Sequence, residues 1–292
     1  MQLAIITCSS LPEGVADDQP LFESLRAIGF DVDILPWDSA VDWSKFDAAL
    51  IRSVWDYHER HSAFNCWLKK VSSLTHLINP IRTIQWNSNK IYLRELGTSG
   101  IRTAPTVWIN ENNQNHFNEF INDTSAEQYF LKPVIGADSS GTFRFADTPN
   151  DIQQAQQHLK QWLPQFEMML QPYMKSVETY GETSLIYFAG RYSHAVRKIP
   201  QLGDYRVQDT FGAQDITHQP NEDELLLSEQ CLRHMASHKL HAHYARFDFL
   251  NDEKGQACLN EAELIEPSLF FNHGPNAAFA LANVIQDYLS TG

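Results

Sequence analysis

Tyr244-Ala245-Arg246-Phe247-Asp248-Phe249-Leu250-Asn251 and, after a polar turn, Ala257-Cys258-Leu259-Asn260-Glu261-Ala262-Glu263-Leu264-Ile265 are the runs on which the fold turns. Side chains of a strand alternate between its two faces, so Arg246 and Asp248 share one face and Glu261 and Glu263 share another. Antiparallel pairing through residues 251–256 brings an arginine and three carboxylates onto one surface. Close carboxylates repel unless a cation neutralises them, and hard oxygen ligands suit Mg²⁺ held jointly with substrate phosphates. The plain alternative is an exposed hairpin with acids on its wet face. The flanking Phe247, Phe249, Leu259 and Leu264 indicate instead a hairpin packed on one side.

Upstream lies a second chemical cluster, Lys132-Pro133-Val134-Ile135-Gly136-Ala137-Asp138-Ser139-Ser140-Gly141-Thr142. An apolar strand ends in a lysine, and a loop rich in Gly and Ser follows before the next strand. Backbone N–H groups of such a loop can approach phosphate oxygens while the lysine supplies fixed charge. A bare β-hairpin turn has the same composition, and neither GxxxxGK[ST] nor GxGxxG is present. Between the two clusters, Met168-Met169-Leu170-Gln171-Pro172-Tyr173-Met174 reads as an apolar strand leading to Glu178. Its backbone can read a nucleobase, with Pro172 limited to the acceptor role, and Glu178 can accept from ribose hydroxyls. An ordinary core strand has the same look.

At the N-terminus, short apolar runs at 2–7, 31–36 and 47–52 surround a helical pattern from Leu21 to Ile28. Strand, helix and strand at these lengths give a parallel βαβ unit, with no basic residue ahead of the first run to suggest a signal peptide. Ligands of such sheets sit beyond the carboxyl ends of the strands, where Arg52-Ser53-Val54-Trp55-Asp56-Tyr57 falls. Those residues either hold a small charged substrate or form an ordinary surface loop. A short helix from Lys90 to Leu96 stops at Gly97 and Gly100. Strands at 105–109, 129–133, 142–146 and 168–173 with helices near 115–122 and 151–163 then make a small mixed lobe. Strands at 184–189 and 192–198, a polar loop to about 220, a helix near 221–239, strands at 244–250 and 257–265, and a last helix near 276–289 complete the chain.

The net charge of −14 argues against nonspecific nucleic-acid binding, which needs a basic surface. No run of about 18 apolar residues is present to span a membrane. Four scattered cysteines without a CxxC pair read as reduced thiols of a cytoplasmic protein. No Ser–His–Asp or Cys–His arrangement is apparent. His234 and His238 are spaced i, i+4 and have His241 and His243 nearby. Without HExxH, paired cysteines or an evident further ligand, they read as a solvated helix face rather than a zinc site.

The order of these pieces resembles the ATP-grasp superfamily, which includes D-alanine–D-alanine ligase, glutathione synthetase and ribosomal-protein glutamate ligases. Its pattern is a helix lysine, a strand lysine with a Gly-rich loop, a hinge with a ribose glutamate, a basic residue, Arg-x-Asp, and a Glu-x-(Asn/Glu) pair. The matching positions here are Lys90, Lys132 with residues 136–142, Gln171 to Met174 with Glu178, Lys198, Arg246 with Asp248, and Glu261 with Glu263. The resemblance implies that Lys90, Lys132, Gly136, Ser139, Ser140 and Gly141 hold ATP phosphates. Gln171, Pro172, Tyr173 and Met174 line the adenine, and Glu178 meets the ribose. Asp248, Glu261 and Glu263 hold Mg²⁺, two ions by the family's habit. Gly203-Asp204-Tyr205-Arg206 with Asp209-Thr210-Phe211-Gly212-Ala213 is similar to the loop that closes over these active sites, which makes Arg206, with Lys198 and Arg246, a stabiliser of phosphoryl charge. Arg52, Trp55, Asp56 and Tyr57 would meet the substrate. Glu263 replaces the frequent Asn, and Ser184 stands where the glutathione synthetase branch often has Arg. Within the superfamily the chain looks most like the cyclo-ligase subgroup of D-cycloserine biosynthesis, which closes O-ureido-serine into a ring.

The expected architecture is therefore α/β and α+β, an ATP-grasp fold. A parallel α/β lobe (1–88), a small lobe with the phosphate loop (89–175) and a carboxylate-bearing lobe (176–292) clamp ATP between them. The expected chemistry is activation of a carboxylate as an acyl phosphate, then attack by an amine or similar nucleophile, of the same molecule where the subgroup's ring closure holds. Small-molecule substrates, no nucleic acid, no membrane and a possible homo-oligomer accompany it. A peptide or glutamate ligase of the same superfamily, or an ATP-binding protein without turnover, are the alternatives.

Overall fold

The computed structural model describes residues 1–124, 126–136, 140–207 and 211–291. Ser139, Ala137 and Asp138 of the Gly/Ser loop, and Asp209 and Thr210 of the closing loop, lie outside the described residues.

The first sheet is parallel, in the order β2-β1-β3-β4, from β1 (Gln2–Thr7), β2 (Asp31–Pro36), β3 (Ala48–Ser53) and β4 (His76–Ile78). All of β3 and nearly all of β1 is buried, as a parallel sheet covered on both faces requires. Between β1 and β2, α1 (Gln19–Ala27) lays Leu21, Phe22 and Leu25 on one face. The other face carries α2 (His61–Val71), whose buried Phe64, Trp67, Leu68 and Val71 follow the helical spacing. α3 (Ile81–Asn87) follows the short edge strand β4.

Lys90 stands on the turn ahead of α4 (Tyr92–Thr98) rather than inside a helix, and its backbone N–H donates to the Val134 carbonyl. Gly97 lies within α4, where a Cβ would crowd Thr103 Oγ1 at 3.2 Å. Gly100, with φ +88°, makes the stop.

The second sheet is antiparallel in the order β5-β8-β6-β7, from β5 (Val107–Ile109), β6 (Gln128–Pro133), β7 (Phe143–Ala146) and β8 (Met168–Pro172). Along β6, Tyr129 and Leu131 turn into a core closed by α5 (His116–Thr124) and α6 (Pro149–Trp162), while Phe130 and Lys132 face the other way. The Thr148 side chain caps α6 with Pro149 in its first turn, as its sequence suggests.

After the single turn α7 (Ser176–Thr179), the third sheet runs β11-β10-β9-β12-β13 and is antiparallel. Its strands are β9 (Glu182–Phe188), β10 (Arg191–Ile199), β11 (Gln214–Thr217), β12 (Tyr244–Asn251) and β13 (Ala257–Glu263). β11 lies inside the segment expected as a polar loop. α8 (Glu222–Ser237) starts with a capping box in which Asn221 and Glu224 satisfy each other's backbone N–H groups. The last helix, α9 (Ala277–Thr291), returns to the first lobe, where Leu281, Ala282 and Ile285 share a core with Leu21 and Leu25.

β13 is the outer strand of its sheet, yet its free side is saturated by groups from elsewhere in the chain. The Ala262 carbonyl accepts from Asn87 Nδ2 at 2.7 Å and from Tyr92 OH at 2.9 Å, and the Ala262 N–H donates to Tyr92 OH. Leu264 N–H donates to Asn87 Oδ1, and the Leu264 carbonyl accepts from Asn79 Nδ2 at 2.7 Å. Asn79 also donates to the Tyr244 carbonyl and accepts from the His243 N–H, so one buried amide ties the first lobe to both strands of the hairpin. It does so at φ 61°, a left-handed conformation that Asn tolerates better than other non-glycine residues.

Asn79→Ala should cost about 2–4 kcal/mol in urea unfolding, because it leaves buried backbone groups unpaired and strains the left-handed position. Asn79→Gly loses the same amide but is free of strain at this left-handed position, so it should be more stable than Asn79→Ala and less stable than wild type. Equal stability of wild type and Asn79→Gly would show that the amide bonds do not hold the lobes.

Candidate active site

The register of β12 and β13 sets Arg246 opposite Glu263 and Asp248 opposite Glu261, so the four side chains share one face as the sequence implies. Phe247 and Ala262 turn to the other face and pack under Leu227 and Cys231 of α8. Arg246 grips Asp248 with a fork, Nε to Oδ1 and Nη2 to Oδ2 both at 2.9 Å, and Nη2 reaches Glu263 as well. Ser184 Oγ donates to Asp248 Oδ1 at 2.6 Å. From β10, Lys198 pairs with Glu182 and lies 3.6 Å from Asp248 Oδ2. Asn260 Nδ2 donates to the second oxygen of Glu182.

Arg246, Asp248 and Lys198 are buried and Glu263 is half-buried, and their ionisation follows from that. Burial alone would raise the Asp248 carboxyl, but Arg246 and Lys198 outweigh it and hold it down at about 2. Glu263 is less well compensated. Burial lifts it to about 7 against the pull of Arg246, with Asp248 and Glu261 adding to the rise. Burial, then Glu263, push Glu266 well above the ordinary carboxylate range. The acidic face is short of positive charge.

The opposite wall comes from the second sheet. Lys132 projects from β6 into the same cleft, and burial lowers its pKa although Glu261 works the other way. Lys90 bridges the walls, with Nζ 2.6 Å from Glu261 Oε1 and 2.8 Å from the Gly136 carbonyl. Farther along the cleft, Phe130, Tyr173 and Tyr205 form an aromatic slot beside Gln171, Pro172 and Met174. Arg144 stacks on Tyr173 at 4.1 Å from the ring centre. The whole is one cavity of about 300 Å³.

Of the residues singled out from sequence, Lys90, Lys132, Gly136, Ser140, Gln171, Pro172, Tyr173 and Met174 line this cavity. So do Lys198, Arg206, Arg246, Asp248, Glu261, Glu263, Trp55 and Tyr57. Arg206 is tied to Asp204 at 2.7 Å and stacks on Phe211. Ser139 lies outside the described residues.

Four others are placed elsewhere. Arg52, expected at the substrate, is buried beneath the loop. Its guanidinium pairs with Asp18 at 2.7 Å and donates to the Pro267 carbonyl, so it fixes the end of β3 to the segment after β13. Asp56 accepts from Trp37 Nε1 and lines a shallower depression next door with Trp55 and Ser140. Gly141, at φ +69°, abuts the Trp162 ring, where a Cβ would come within 2.8 Å. Glu178 accepts from Tyr173 OH and pairs with Arg144 at 3.1 Å outside the cavity lining. Sequence reading passed over Phe130, Glu182, Tyr205 as a ring, and Glu266. The alternation of β6 points to Phe130; nothing local separates Glu266 from the other acids.

Opposed basic and carboxylate walls around an aromatic slot, on three sheets in this order, define an ATP-dependent ligase that forms C–N bonds. The chain belongs to the ATP-grasp family: the model of the prokaryotic glutathione synthetase ATP-grasp domain matches residues 89–242, and that of the N-terminal domain of D-cycloserine synthetase DcsG matches residues 3–79. Its likeness is specifically to the cycloserine biosynthesis protein DcsG of Streptomyces lavendulae, 30% identical over 98% of each chain. The crystal structure of D-cycloserine synthetase DcsG superposes with a TM-score of 0.90 at 28% identity, covering 99% of this chain and all of that one. D-alanine–D-alanine ligase from Bacillus anthracis shares the fold, with a TM-score of 0.69 at 15% identity over 100% of this chain and 98% of that one. No helix among the described residues is long and apolar enough to cross a membrane.

Glu266 generates a pH prediction for the protein without nucleotide or metal. Its folded pKa is raised, so between the unfolded value and the folded one the unfolded state has already released a proton that the folded state keeps. Stability therefore falls as pH rises through that window. Glu266→Gln should remove this loss, with a stability advantage over wild type that grows from pH 5 to pH 8 in urea melts. A constant difference across that range would show that Glu266 is not held uncharged.

Proposed function

We propose that the protein phosphorylates the carboxylate of a small amino acid with ATP and that a nitrogen nucleophile then displaces the phosphate. The nitrogen belongs to the same molecule, an O-ureido-serine-like acid, so the product is a ring. What carries the reading is Lys90, which spans the gap between the phosphate-loop carbonyl of Gly136 and the hairpin carboxylate of Glu261. A group transferred between the walls passes that point.

Each residue has a role on this reading. Lys90 and Lys132 hold phosphate oxygens, with the backbone at Gly136 and Ser140 beside them. Gln171, Pro172, Tyr173 and Met174, with Phe130 and Tyr205, hold the base. Lys198, Arg206 and Arg246 spread the charge of the phosphoryl group in flight. The donor set suits Mg²⁺: Asp248, Glu261 and Glu263 present hard oxygens on one face, where Arg246, Lys198 and Lys90 offset only part of the negative charge. Magnesium, when bound there with ATP, would neutralise phosphate charge. Trp55, Tyr57 and Glu266 lie together in the cavity wall. No hydrogen bond or ion pair engages the Glu266 carboxylate among the described residues, and it suits the ammonium group of an amino-acid substrate. Acyl transfer needs no enzymic nucleophile; position and water exclusion are sufficient.

The test is release of ADP across a panel of amino acids and ureido acids with Mg-ATP. O-ureido-serine should support turnover with a cyclic product. Asp248→Asn and Glu261→Gln should abolish turnover while circular dichroism stays that of the wild type. Turnover with a peptide or glutamate acceptor and not with ureido acids would move the protein to a neighbouring ligase activity. Undiminished phosphate release in both variants would refute the metal assignment.

A further inference from the structure

Away from the cleft, α4 and α8 lie side by side, sharing a core of Tyr92, Leu93, Leu96, Cys231 and Met235. At the surface of this contact, Glu95 of α4 meets His234 of α8 and His238, the residue that caps the end of α8. One ligand atom from each lies within 4.8 Å of the others, and no other such group of His, Cys, Asp and Glu occurs among the described residues. The sequence offered the two histidines without a partner. The fold supplies one, from 139 residues earlier in the chain.

The surroundings orient Glu95 and His238. Trp86 Nε1 donates to Glu95 Oε2 at 3.0 Å, which leaves Oε1 turned to His234 Nε2 at 2.7 Å. His238 Nδ1 sits 2.9 Å from the His234 carbonyl and 3.1 Å from Ser237 Oγ. The Ser237 hydroxyl already donates to that carbonyl at 2.7 Å, so the Nδ1 proton belongs to His238 and its Nε2 keeps a free lone pair. A ring N–H committed to a backbone carbonyl and a carboxylate held by a second donor are the outer partners that metal ligands ordinarily have. The two imidazole rings stack at 4.2 Å. Tetrahedral ligands 2.0–2.1 Å from a zinc ion stand about 3.3 Å apart; here His234 Nε2 and Glu95 Oε1 are 2.7 Å apart, and one ligand atom of each residue lies within 4.8 Å of the others.

We propose that Glu95, His234 and His238 bind one borderline divalent transition-metal ion, of which Zn²⁺ is the type. The metal replaces the proton shared by His234 and Glu95, and water fills the fourth position on the exposed side of His238. Two imidazoles and one carboxylate suit Zn²⁺ better than Mg²⁺, which favours all-oxygen sets. The ion clips α4 to α8. Because α4 starts two residues after Lys90, the clip fixes the base of the turn that bridges the catalytic cleft.

The experiment uses the full chain, stripped with EDTA and titrated with ZnCl₂ in excess Mg²⁺, which occupies the oxygen-only sites. Wild type should take up one equivalent with a rise in Tm. His238→Ala removes an exposed ligand with little risk to folding and should weaken binding by more than about 10-fold and abolish the Tm rise. Trp86→Phe keeps all three ligands and loses the N–H that aims Glu95, so its affinity should fall by about 10-fold. Failure of wild type to bind, or equal affinity in wild type and His238→Ala, overturns the proposal. Neither result depends on which substrate the enzyme takes.

Discussion

Charges held away from water must be matched by charges of opposite sign within a few ångströms, and the catalytic cleft is organised by that requirement. Lys132 and the bridging Lys90 meet the acidic wall across the cleft, while Lys198 and Arg246 stand among Glu182, Asp248 and Glu263 on that wall itself. Where geometry is good, as in the fork between Arg246 and Asp248, the carboxylate stays ionised. Where it is poorer, at Glu263 and Glu266, the carboxyl keeps its proton more readily. The imbalance is local, confined to the acids at the end of β13 and just beyond it. The same ion pairs that hold the cleft together thus leave part of its negative charge uncompensated.

Three sheets divide the labour of holding these groups. The third supplies the acidic floor, the second the lysine wall and the aromatic slot, and the first a rigid platform behind the floor. The platform is bound to the floor by side-chain amides, by Arg52, which pairs with Asp18 inside the platform and donates to the Pro267 carbonyl, and by an apolar core that Leu3, Ile5 and Leu50 share with Ile186, Phe188 and Tyr244. The second sheet has a core of its own, built around Tyr129, Phe145 and Leu170. A lobe with an independent core can shift as a unit while the floor keeps its geometry.

What the sequence disclosed depended on the range over which its signals act. The hairpin face was legible because period-two alternation fixes which residues travel together, and the register of β12 with β13 follows from it. Lys132 was legible for the same reason along β6. β4 escaped because three residues carry no period, and β11 because its short run lies in polar surroundings. Arg52 was misjudged: nothing near it reveals that Asp18 neutralises it from another element. Glu178 meets a similar fate through Arg144. Glu95 was invisible as a partner for the histidines, since only the packing of α4 on α8 brings it there. Composition and period are local; pairing across lobes is not.

The sealed outer side of β13 has a consequence beyond the cleft. A bare outer strand is a template on which another chain can lay a strand, the usual route to domain swapping and fibrous aggregates. Along Ala257, Leu259, Ala262 and Leu264 the outward backbone groups are already taken by Asp223, Arg102, Ala104, Tyr92, Asn87 and Asn79. The strand that carries the acids thus offers no foothold to a foreign one, and the same polar side chains that steady the chemistry keep this rim of the molecule to itself.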